Sequence, residues 1–324
     1  MKKFVSFLLV TVMIFALCSV GTSAFAAGAT KISYATGGTS GTYYAFGNVL
    51  AQYITNNSDV AVTAVAGNGS AANIDLLDIG DAQLGFVQND VAAYAYNGIR
   101  FERYEGKAIT GFRAIASLYT EAVQLATCNP DIKSVADLKG KNVSIGAAGS
   151  GVYFNAIDFL AAYGLTEEDI NAQYLNFADS AESLKDGKID AAFVVAGAPT
   201  TAIADLFSSK QSFLISLDDE HIAKLQEISG AYTKSVIPAG TYTNQADDVI
   251  TVGIKATIIA NSQVSDEQAY TIVKTIFEGK DNITHDKAKE LDLDYASTCG
   301  LPYHPGAAKY FAEVNLTVDA LPFE

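Results

Sequence analysis

Two rhythms of apolar and polar positions alternate along this chain. Residues 31–35 are a β-rich run, Gly37-Gly38-Thr39-Ser40-Gly41 is a turn, and over residues 42–54 apolar side chains recur at helical spacing. Residues 60–66 form a second β-rich run, Gly67-Asn68-Gly69-Ser70 leads into a helical segment at 71–79, and residues 82–87 are a third strand. Strands that alternate with helices predict a mostly parallel sheet covered by helices.

The same succession returns about 110 residues later. Residues 142–145 are β-rich, Gly146-Ala147-Ala148-Gly149-Ser150-Gly151 is the turn, and residues 152–163 have helical spacing. Ser40-Gly41-Thr42-Tyr43-Tyr44 aligns with Ser150-Gly151-Val152-Tyr153-Phe154, and Leu77-Asp78-Ile79-Gly80 with Leu184-Lys185-Asp186-Gly187, each followed by a Phe-Val strand end. Two similar βαβ lobes explain this most economically. Between them lie residues 113–128 and 249–260, rich in β-branched and apolar side chains and long for single strands, which read as crossovers joining the lobes. The expected division is a first lobe over 27–120, a second over 121–248, and a return crossover and C-terminal part of the first lobe over 249–324. In that last part residues 266–277 are helical. Ser265 and Gln268 stand at capping-box spacing before them, and Gly279 stops them.

Residues 1–26 have another pattern. Lys2 and Lys3 precede an apolar run that ends at Ala24-Phe25-Ala26, the layout of a secretory signal peptide. A membrane anchor would need a longer run. Cys18 follows the bulky Leu17, which does not suit a lipoprotein cleavage site. The expected location is therefore across the cytoplasmic membrane, periplasmic or extracytoplasmic, without a lipid anchor. Without Lys2 and Lys3, the 21 basic side chains become 19 against 36 acidic ones, a formal charge of −17. So acidic a surface repels polyanions, which argues against nucleic acid as a partner. Cys128 and Cys299 are left, either as a disulfide or as two buried thiols.

The glycine turns carry the candidate chemistry. Each ends at a helix N-terminus, where unpaired N–H groups and the helix dipole attract an anion, and the hydroxyls of Thr39, Ser40 and Ser150 add neutral donors. Enzyme motifs fit poorly. Gly146 to Gly151 has the spacing of a phosphate loop, but Val152 stands in place of its lysine. Gly67-x-Gly69 with Ala72 matches a dinucleotide fingerprint weakly, and neither Ser40 nor Ser150 lies in a Gly-x-Ser-x-Gly elbow. His221, His285 and His304 are scattered without zinc spacing. No cofactor, metal or catalytic residue is expected. The alternatives to a binding protein are a bilobed α/β enzyme and a ligand-gated surface sensor, each acting on a small carboxylate.

Five stretches in order resemble the TAXI family of extracytoplasmic receptors: Gly37 through Tyr44, Phe86-Val87-Gln88-Asn89-Asp90, Gly149-Ser150-Gly151, Val195-Ala196-Gly197-Ala198-Pro199-Thr200, and Leu301-Pro302-Tyr303-His304-Pro305-Gly306-Ala307. Asn89 and Val152 depart from the family's usual serine and threonine. The resemblance implies a two-lobed periplasmic binding protein of type II and a TRAP transporter membrane subunit as partner. It also implies a small anionic ligand such as glutamate, glutamine or 2-oxoglutarate. Carried over by position, the ligand shell is Thr39, Ser40, Tyr43, Gln88, Asn89, Ser150, Gly151, Ala196, Gly197, Pro199 and Thr200, with Gly38, Asp90, Tyr119, Glu121 and Tyr153 as further candidates. Some of these have a plainer role open to them: Tyr43 in the core, Gln88 as a tie at a strand end, Asp90 as a helix cap.

Overall fold

The structure is a computed structural model that describes residues 31–323. The signal peptide expected at residues 1–26, and with it Cys18, lies outside the described residues.

Strand β1 (Ile32–Ala35), helix α1 (Thr42–Asn57), β2 (Val62–Val65), α2 (Ser70–Asp78), β3 (Leu84–Gln88) and α3 (Asn89–Asn97) build the first half. After β4 (Phe112–Thr127) the pattern repeats as β5 (Asn142–Ser144), α4 (Val152–Ala162), β6 (Asn171–Gln173), α5 (Phe177–Lys185), β7 (Ala191–Ala196) and α6 (Thr201–Ser209). β8 (Phe213–Leu214), α7 (Asp219–Ile228), β9 (Thr233–Ile237) and β10 (Val249–Asn261) follow. Then come α8 (Asp266–Glu278), α9 (Leu293–Ala296) and α10 (Pro305–Glu313).

The strand order β2-β1-β3-β10-β4-β7-β5-β6 reads the same from either end once the repeat is taken into account. β1 pairs in parallel with β2 and β3, just as β5 pairs in parallel with β6 and β7. The two long strands hold the halves together. β10 runs antiparallel to β3 through Ala256–Ala260 and to β9 through Val249–Gly253, and β4 pairs with β7 from Ala122 to Thr127. Between β4 and β10 the register slips at Ala256/Thr257 and at Ile258/Ile259. Such irregularities bend a strand and increase its twist, which lets one strand serve two lobes.

Hydrophobic burial follows this division. One core gathers Tyr34, Phe46, Phe86 and Ile115 with Ile258, Ile272 and Phe311, so α8 and α10 pack back on the first lobe. In the second lobe, alternate residues of β4 face opposite sides of the sheet. Val123 and Leu125 join Phe159 and Phe193, while Ala122 and Ala126 join Leu206 and Tyr242. The capping box before α8 is present: Gln268 N donates to Ser265 Oγ at 3.2 Å and Ser265 N to Gln268 Oε1 at 2.9 Å. Cys128 and Cys299 do not pair; Cys299 is buried with its thiol toward Leu301 O, and Cys128 lies beside Ser212.

Candidate ligand-binding site

A cavity of about 390 Å³ lies between the lobes, a volume in the usual range for small-molecule sites. Four helices begin at its wall. From the first lobe come the starts of α1, with Gly38 to Tyr43, and of α2, with Gly67 to Ser70; from the second come those of α4, with Ser150 to Val152, and of α5, with Asn176 to Asp179. Three of these termini, at Gly41, Gly69 and Gly151, lack a side-chain cap. Only α5 is capped, by Asn176 accepting from Asp179 N. These helix starts, with no side chain capping their first-turn N–H groups, converge on one small volume from both lobes, although Ala72 N of α2 and Phe154 N of α4 are taken by backbone carbonyls.

Glycine permits this convergence. Gly149, at φ 82°, is in the left-handed region, and its carbonyl accepts from Ala72 N across the lobes at 2.9 Å. At Gly151 the backbone is ordinary but the space is not. A Cβ there would stand 1.6 Å from Gln88 Oε1 and 2.7 Å from Ser70 Oγ.

Two buried polar atoms at the cavity have no partner: Ser150 Oγ and Gln88 Oε1. Gln88 is otherwise held, its Nε2 donating to Asn155 Oδ1 at 3.0 Å and its backbone N to Ser70 Oγ at 3.0 Å. The lining contains no Lys, Arg or His; its charged residues are Glu121, 2% exposed, and the exposed Asp179. Burial pushes the Glu121 carboxyl up to about 8, and the Asp90 charge adds to this. The hydrogen bond from Tyr43 OH at 2.6 Å and the Lys287 charge act in the other direction. Tyr43 itself stacks on Phe86 at 4.6 Å, so it is at once a core residue and part of the lining.

Of the residues singled out in the sequence, Gly38, Thr39, Ser40, Tyr43, Gln88, Glu121, Ser150, Gly151 and Ala196 line this cavity. The others stand off it. Asn89 is turned toward β10, accepting from Lys255 N at 2.8 Å. Gly197 O is taken by Thr42 Oγ1 at 3.1 Å and Thr200 Oγ1 at 2.9 Å; Pro199 is exposed; and Thr200 is committed to Gln124 and Tyr242. Asp90 sits inside the first turn of α3 rather than at its cap, accepting from Val91 N at 2.7 Å and from Asn155 Nδ2 at 2.8 Å. Tyr119 is fully buried against Phe46 and Phe86, and Tyr153 OH reaches out to Glu167 at 3.0 Å.

Asn68, Ser70, Asn176, Phe177 and Asp179 line the cavity without having been singled out. The internal repeat carried the signal for them. α2 corresponds to α5, so the turn before each belongs to the site as much as the turns before α1 and α4 do.

Among comparisons with known proteins, the model of the NMT1-like family matches residues 34–314. Among solved structures, a protein from Bordetella bronchiseptica RB50 is 18% identical, with 91% of this chain and 85% of that one covered and a TM-score of 0.52. An L-cystine ABC transporter candidate from Listeria monocytogenes is 16% identical, with 82% and 98% covered and a TM-score of 0.51. The alkanesulfonate-binding protein SsuA from Xanthomonas axonopodis pv. citri, bound to MOPS, is 15% identical, with 88% and 85% covered and a TM-score of 0.49. The fold is thus that of two-lobed α/β periplasmic binding proteins. The NMT1-like match corrects the resemblance to the TAXI receptors, and with it the expected TRAP-type partner. Most of the motifs behind that resemblance are turns and strand ends around helix N-termini, which the two-lobed architecture itself puts there.

Proposed function

Since the chain belongs to the NMT1-like family, we propose that it is an extracytoplasmic receptor that closes its lobes on a small carboxylate-bearing solute and hands it to a membrane transporter. The observation that carries this reading is the meeting of three uncapped helix N-termini with the unpartnered Ser150 Oγ in one inter-lobe cavity. Such N–H groups hold a carboxylate without a cationic side chain. β4 and β10, which pass between the lobes, are the hinge about which closure takes place. For the partner, an ABC-type membrane unit is the choice the Listeria neighbour's description favours. A place outside the cytoplasmic membrane rests on the leader pattern of residues 1–26. Among the described residues no helix is long and apolar enough to cross a membrane.

The test is thermal unfolding of the protein, refolded to strip carried-over solute, against a panel of amino acids, 2-oxo acids, dicarboxylates and sulfonates. Ligand at 100 times its Kd adds about 2.7 kcal/mol, which is a rise of several degrees at about 2–4 °C per kcal/mol. A rise with one chemical class supports the receptor reading. No rise with any, together with turnover of a panel member, overturns it in favour of an enzyme.

A further inference from the structure

The same cavity contains a feature that a plain anion site does not explain. Glu121 projects from β4 into the lining and is 2% exposed. Its Oε2 accepts from Tyr43 OH at 2.6 Å, while its Oε1 has no hydrogen bond among the described residues. The cation nearest in effect, Lys287, is outside the lining and already engaged, donating to Ala198 O at 2.8 Å and Glu290 Oε1 at 2.5 Å. Gln88 Oε1 is a second buried acceptor without a donor. A ligand with anionic groups alone would leave Glu121 Oε1 facing the cavity without a donor.

We infer that Glu121 receives a protonated amine of the ligand whose carboxylate lies on the helix N-termini, so that the site takes small amino acids and discriminates against 2-oxo acids and dicarboxylates that lack the amine. This rests on the receptor reading above and narrows it. The charge of the ligand then complements the cavity at both ends: N–H dipoles for one, a carboxylate for the other. The groups that act on Glu121 are Tyr43 from α1, Asp90 from α3, Tyr119 on its own strand, Lys287, and Tyr295 from α9. Burial leaves Glu121 largely protonated at neutral pH. An incoming cation favours its ionised form, so binding releases a proton and tightens as pH rises toward 8. A protonated Glu121 donating to a ligand carboxylate would give the opposite slope.

The experiment is isothermal titration of the wild-type chain at pH 6, 7 and 8 with matched pairs that differ in the amine, such as L-glutamate with 2-oxoglutarate and L-leucine with its 2-oxo acid. Glu121→Gln is run in parallel, its folding checked by thermal unfolding. The amino member of a pair binds at least tenfold tighter than its 2-oxo partner, with affinity rising between pH 6 and 8. In Glu121→Gln that affinity falls about 30-fold or more while the 2-oxo member is unaffected. Equal or tighter binding of the 2-oxo member, or affinity that falls with pH, overturns the amine assignment and leaves the carboxylate receptor standing. Absence of binding by every member overturns the amine assignment, and the wider panel above then decides the receptor reading. The wild-type comparison decides the matter even if Glu121→Gln does not fold.

Discussion

The lobes meet along two polar seams, and these differ in how far the protein satisfies its own hydrogen bonds. At the cavity, Ser150 Oγ and Gln88 Oε1 have no partner and three helix starts have no cap. Behind it, between α3 and α4, a buried chain has its partners in place. Asn155 accepts from Gln88 Nε2 at 3.0 Å and donates to Asp90 Oδ2 at 2.8 Å and Tyr232 OH at 2.9 Å. Tyr232 OH in turn donates to Asp158 Oδ2 at 2.8 Å, and Arg100 pairs with the same carboxylate. Asp90 and Arg100 belong to the first lobe, Asn155, Asp158 and Tyr232 to the second. Buried polar groups cost free energy unless paired. The rear seam therefore fixes how the lobes meet by itself, whereas under the proposed function the cavity seam depends on a ligand to complete its bonds. Gln88 belongs to both.

The sharpest way to break the comparison is at Gly151. A methyl group there overlaps Gln88 Oε1 and presses on Ser70 Oγ, while the backbone φ of −72° tolerates alanine. Gly151→Ala should keep each lobe's fold but lower ligand affinity by about 100-fold or more, since steric overlap in a packed interface costs several kcal/mol. Titration with the best panel ligand reads the affinity and small-angle scattering the closure. An unchanged affinity would remove Gly151 from the site.

A paired substitution sharpens it. Asn155 has no exposed surface and each of its three hydrogen bonds ends on another buried side chain. Asn155→Ala leaves Gln88 Nε2 without an acceptor and Asp90 and Tyr232 each short of a donor, so stability falls by about 2–4 kcal/mol. Ser150→Ala removes a hydroxyl with no partner inside the protein. Its unfolding temperature stays where it is, and affinity drops only about 3–10-fold, the worth of one hydrogen bond to ligand. Denaturant unfolding with ligand titration measures both. A stability loss in Ser150→Ala, or none in Asn155→Ala, would erase the distinction between the seams.

The division into two lobes was legible because it is repeated. Ser40-Gly41 and Ser150-Gly151 announced the starts of α1 and α4, and the long apolar runs announced β4 and β10. The wall of the cavity was legible where a glycine turn meets a helix. It was less so where position along a strand end stood in for direction: Gln88 faces the cavity, but Asn89, one residue on, opens α3 and points to β10. Side-chain direction changes from one residue to the next as strand becomes helix, and no composition marks it. The rear seam was not foreseen, because Asp90, Asn155, Asp158 and Tyr232 are far apart in the chain and ordinary in their local settings.

A dependence of stability on pH also comes from the rear seam. Burial raises Asp90 from its ordinary value to about 7 and Asp158 to about 6, although the Arg100 charge and the Tyr232 hydrogen bond hold Asp158 down in part. The unfolded chain has both near 4. Between about pH 4 and 7 the folded protein therefore binds more protons than the unfolded one, and the stability these groups contribute is greatest below pH 4 and declines as pH rises through 6 and 7. Carboxylates with lowered values outside the core, such as the half-buried Asp169 and the exposed Asp218, contribute in the opposite direction at lower pH, so the informative quantity is a difference in slope. In the wild type Tm should fall between pH 5 and 7. In Asp90→Asn, which cannot ionise, the fall should be shallower by about 2 kcal/mol across the interval, roughly 5–9 °C at about 2–4 °C per kcal/mol. Identical slopes in the two proteins would mean that the rear seam carries its charge at no cost, and that the contrast between a self-sufficient seam and a ligand-completed one is weaker than the hydrogen bonding suggests.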